Sequence, residues 1–75
     1  MSPEDFPKVM QSFFAEGGFP INPDQAADRL IRLSGSLENA GQCFRWNYSA
    51  AFPISKDEQE LKEALERRGV KVPPR

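Results

Sequence analysis

In the stretch FPKVMQSFFAEGG, Val9, Met10, Phe13 and Phe14 recur at the three- and four-residue spacing of one helical face. Pro7 suits a first helical turn and Gly17-Gly18 a stop, so the pattern predicts a helix over residues 7–16. The next stretch, FPINPDQAADRLIRL, has a fuller start signal. Asn22 is placed as N-cap, Pro23 at the first helical position, Asp24 in the positive first turn, and Gln25 as the return arm of a capping box. Ala26, Ala27, Leu30, Ile31 and Leu33 then form one apolar stripe, which predicts a second helix ending near Ser34. Ser34-Gly35-Ser36 should loosen or end it.

A further helix is expected in SKDEQELKEALERRG. Ser55 and Glu58 form a capping box, Glu58 with Lys62 and Glu63 with Arg67 are four-residue ion pairs, and Gly69 is the expected residue after the last turn. Its stripe is narrow, only Leu61, Ala64 and Leu65, so most of this helix should face water. Val70 and Val72 suggest a short extended tail, and order is expected to end at residues 73–75.

Between these helices lies GQCFRWNYSAAFP, which holds the chain's one Trp, one Tyr and one Cys. Phe44, Trp46, Tyr48, Ala50 and Phe52 alternate with Arg45, Asn47, Ser49 and Ala51, the two-residue period of a half-buried strand. Asn39-Ala40-Gly41 would be a hairpin turn pairing this strand with residues 33–38. A helix placing Leu37, Ala40, Phe44, Tyr48 and Ala51 on one face is the competing reading. The strand gives the expected fold: a single α+β domain over residues 1–75, three short helices on a small antiparallel β element containing residues 44–51, with an all-α bundle as the alternative.

Length changes this picture by setting what the aromatics must do. A 75-residue chain buries only about 60% of its unfolded surface, so it needs its large side chains inside. On the strand reading Phe44, Trp46 and Phe52 point inward, and the opposite face of Arg45, Asn47 and Ser49 meets solvent or a partner. Tyr48, Arg45 and Trp46 are also the residue types enriched at interface hot spots. Candidate partner-binding residues are therefore Arg45, Asn47, Tyr48 and Ser49. A strand with few mates in its own chain also suggests a homodimer, or strand addition to another protein.

Charge adds a mild asymmetry. Five acids stand against Lys8 up to Asp28, whereas the remainder is slightly basic, for a net charge of −1. That balance disfavours nonspecific nucleic-acid binding. A regulator reading the major groove with the polar face Arg45, Asn47 and Ser49, as ribbon-helix-helix proteins do, is the alternative function, although those proteins have two helices after the strand and this chain has one. With no histidine and one cysteine, no catalytic base near pH 7, no metal-ligand set and no internal disulfide are expected. No phosphate-loop glycine pattern occurs, no run of about 18 apolar residues could cross a bilayer, and the acidic opening MSPEDFPKVM is unlike a secretory signal. The sequence thus predicts a cytoplasmic, non-enzymatic protein-binding module without cofactor or small-molecule substrate: a small inhibitor, adaptor or assembly factor of the kind found among bacterial or phage accessory proteins.

Overall fold

The computed structural model describes residues 1–17, 22–49 and 55–74. A 3-10 turn, Pro3–Asp5, leads into four α-helices: α1 (Phe6–Ala15), α2 (Pro23–Ser34), α3 (Leu37–Asn47) and α4 (Lys56–Arg67). There is no strand among the described residues, so the expected α+β fold is corrected to a small all-helical domain. Residues 70–74 follow α4 as a tail without helix or strand. The expectations placed on Gly18, Ala50, Ala51 and Phe52 lie outside the described residues.

Local chemistry explains the helix ends. Asn22 Oδ1 accepts the Asp24 N–H at 2.8 Å and the Gln25 N–H at 3.4 Å, and Ser55 Oγ accepts the Glu58 N–H at 3.1 Å, satisfying donors that a first turn leaves open. The stripe of α2 reduces to Ala26, Ala27, Leu30 and Ser34 at full burial, with Ile31 and Leu33 half-buried. In α1, Met10 and Phe13 are buried while Phe14, on the same predicted face, is 49% exposed.

The decisive difference is α3. Residues 39–41, expected as a hairpin turn, lie inside this helix, and residues 44–47 continue it. The tripeptide Ser34-Gly35-Ser36 ends one helix and starts the next within two residues. Gly35 takes the left-handed conformation (φ 95°) that closes α2, and Ser36 Oγ accepts the Asn39 N–H at 3.0 Å as the cap of α3. Ala40, Cys43 and Phe44 then fall on one buried face, and Tyr48 packs against it one turn on. A helix satisfies its own backbone groups, whereas a strand here would have needed a mate, of which the chain offers few.

The core joins Met10 and Phe13 of α1, Ala26, Ala27 and Leu30 of α2, Ala40, Cys43 and Phe44 of α3, Leu61, Ala64 and Leu65 of α4, and Val70 of the tail. α2 packs against the other three helices, and α1 also packs on α3. Arg67 and Arg68 at the end of α4 pair with Asp24 and Asp28 on α2, fastening these two helices at the surface.

Gly41 fixes how the tail lies. A Cβ at this position would sit 2.7 Å from the Lys71 carbonyl oxygen and 3.2 Å from Val70 Cγ1. The backbone of α3 and the tail therefore meet where only glycine fits, at the expense of about 1 kcal/mol in helix propensity relative to alanine.

Candidate protein interface around Trp46

The four predicted contact residues occupy one turn at the C-terminal end of α3, and they do not share a surface role. Arg45 is drawn inward: its side chain is 13% exposed, its Nη1 lies 3.5 Å from Glu58 Oε2, and its Nε donates to the Pro73 carbonyl at 2.6 Å. Its guanidinium carbon also sits 5.4 Å from the Phe44 ring centroid. Tyr48 is half-buried, its ring 4.9 Å from that of Phe44. Desolvation pushes the Tyr48 phenol above its ordinary pKa, and the charges of Asp57 and Glu58 act in the same direction. Asn47 is half-buried at the last helical position, and Ser49 is exposed with its Oγ donating to the Trp46 carbonyl at 3.1 Å.

Trp46 itself is 43% exposed, so its expected inward orientation is corrected, while Phe44 is fully buried as expected. On a helix, residues 44 and 46 lie about 200° apart, and a side chain inward at one points outward at the other. The indole borders an open groove of about 360 Å³ lined by Phe6, Gln42, Arg45, Trp46, Ser49 and Pro73. α1 contributes Phe6, α3 contributes Gln42, Arg45 and Trp46, Ser49 follows just beyond the end of α3, and the tail closes one side with Pro73. Phe6, Gln42 and Pro73 were missed by sequence reasoning. The hot-spot chemistry of Trp46 is legible, and Gln42 lies one turn back on the same helix, but Phe6 and Pro73 come from distant segments of the chain.

Beyond Pro73 a second groove, of about 320 Å³, runs between the tail and α4 and is lined by residues including Glu58, Lys62 and Glu66. Arg45 and Pro73 line both grooves. A third, of about 300 Å³, lies by Leu37, Glu38, Gly69 and Lys71. Mixed charge lines these two surfaces, with no concentration of arginines suited to a phosphate backbone.

Cys43 is fully buried, with its Sγ 3.6 Å from Met1 Sδ. Burial, and secondarily the charge of Asp5, push its thiol above the ordinary value, opposite to what activates a nucleophile. Among the described residues no group of three His, Cys, Asp or Glu side chains could hold a metal ion, and no helix is long and apolar enough to cross a membrane. Comparison with family models, curated proteins and solved structures finds no match to this chain.

Proposed function

We propose that this protein acts by binding another protein through the face around Trp46, as a small non-enzymatic inhibitor, adaptor or assembly factor. The observation that supports this reading is the half-exposed indole in a groove flanked by Phe6, Gln42 and Pro73. A 75-residue domain with one tryptophan places it outside its core, although burying a large aromatic is among the strongest stabilising contributions available to a small core. Tryptophan is also the residue type most enriched among interface hot spots, where it fills a pocket on the partner. The groove supplies apolar area around it and a side-chain amide and hydroxyl at its rim, the composition of a modest protein interface.

The alternative of a DNA regulator is the less favoured reading. It required the polar face of a strand, and Arg45, its principal base-reading candidate, is engaged with Glu58 and Pro73. Affinity capture with wild-type protein and Trp46→Ala, each checked by thermal melting, tests the proposal. The expected result is a protein captured by the wild type and lost by a Trp46→Ala variant that stays folded. Capture that survives Trp46→Ala, or captured material that nuclease abolishes, would overturn it.

A further inference from the structure

The tail has two parts that are held differently. Val70 is 3% exposed, its N–H donates to the Leu65 carbonyl at 3.0 Å, and the Lys71 carbonyl lies flush on Gly41. That part is anchored in the fold. Beyond it, Val72 and Pro73 are half-buried and Pro74 is exposed. This outer part is held by the packing of Val72 at the edge of the core and, among the described residues, by one hydrogen bond, from Arg45 Nε to the Pro73 carbonyl.

Arg45 makes that bond while another of its nitrogens faces the buried Glu58 carboxylate. The planar guanidinium can serve two acceptors in different directions from fixed nitrogens, which a lysine ammonium cannot reproduce. Pro73, the residue so held, is the wall between the Trp46 groove and the groove along α4.

We infer that residues 72–74 form a strap latched by Arg45, and that releasing the strap opens the Trp46 groove into the groove along α4. Arg45 is thus a positioning residue: it lines the surface beside Trp46 and, through Pro73, sets its width. The strap would let this small domain admit a larger apolar segment than the closed groove accepts. Its relevance to partner binding rests on the reading of the Trp46 face as the interface, but the movement can be tested without any partner.

The single tryptophan is the reporter. Acrylamide quenching and the emission maximum of Trp46 are compared in the full chain, in a chain ending at Lys71, and in Arg45→Lys, with far-UV circular dichroism showing that each is folded. Both variants should give a larger quenching constant and emission shifted to longer wavelength, with helix content unchanged. Unchanged quenching in the folded truncation would show that the strap does not wall the groove. A change on truncation but none in Arg45→Lys would remove Arg45 as the latch. Loss of helical structure on truncation would make residues 72–74 part of the core, and the strap would also fall. Failure of partner capture would instead refute the proposed function and leave these fluorescence outcomes untouched.

Discussion

Arg45→Ala should destabilise the domain strongly, the reverse of what an exposed strand residue would do. Two interactions disappear together. One is the hydrogen bond from a charged donor to the Pro73 carbonyl, at 2.6 Å, a type that contributes about 1.5 to 3 kcal/mol. The other is the pair with Glu58, whose side chain is 2% exposed and loses the guanidinium that faces it. Breaking a fully buried pair from one side costs about 3 to 5 kcal/mol. Here the 3.5 Å separation is long and Arg45 keeps some water contact, so the pair belongs well below that range. Together these place the loss at about 2 to 4 kcal/mol. A domain of this length has roughly 4 to 11 kcal/mol of total stability, so the variant should melt roughly 10 to 25 °C lower. Thermal and urea unfolding followed by circular dichroism measure the loss. The double variant Arg45→Met with Glu58→Met should lose less than the two single changes combined, because no charge then remains buried. A melt for Arg45→Ala within about 0.5 kcal/mol of wild type, the range of ordinary surface substitutions, would refute the buried-pair reasoning.

Other expectations separate buried from exposed groups. Phe44→Ala, at a fully buried ring, should cost about 3 to 5 kcal/mol, whereas Trp46→Ala should cost only about 1 to 2 kcal/mol because the indole is already half in water; equal losses in urea titrations would contradict the assigned faces. Asp24 and Asp28 are held below the ordinary aspartate value of 3.8, foremost by hydrogen bonds from Arg67 and Arg68 to Asp24 and from Arg68 to Asp28. Their contribution is complete above that value and is lost as pH falls through the lower folded pKa, so the melting temperature should decline below about pH 4. Asp24→Asn with Asp28→Asn should flatten that decline, as should about 1 M salt, and an unaltered acid limb in the double variant would reject the assignment. Cys43 should react with iodoacetamide far more slowly in the folded protein than in concentrated urea, and equal rates followed by mass spectrometry would show that it is not buried.

The helices whose signals are local were the legible ones. Asn22 and Ser55 announce α2 and α4 because a cap and the amides it receives lie within three residues. α3 was obscured because Phe44, Trp46 and Tyr48 alternate as a strand would, while Ala40, Cys43 and Phe44 carry the helical spacing with smaller side chains. Periodicity alone does not separate these patterns in so short a run, and of the feature that does, the Gly35 and Ser36 pair of caps, the sequence reading has only the loosening or end of α2 and not the start of α3. Arg45 illustrates a different limit. In the sequence it is a charge beside aromatics, and what makes it structural is Glu58 and Pro73, 13 and 28 residues onward. No local pattern encodes contacts made with a later helix and with the tail. The same holds for the Trp46 groove, whose walls come from both ends of the chain.

The seating of the tail has a consequence for which changes the chain can absorb. Its contacts with α3 at Gly41 and Arg45 use main-chain oxygens, of Lys71 and of Pro73, while Val70 and Val72 pack against the core. Contacts made through main-chain oxygens read the position of residues 71 and 73 along the tail rather than their side-chain chemistry. Lys71, exposed and recognised only through its carbonyl, can vary freely. One residue inserted before Val72 would instead turn that valine out to water and carry the next carbonyls away from Arg45. What this seating fixes in the tail is its count of residues, a ruler set by Gly41 at one mark and Arg45 at the other.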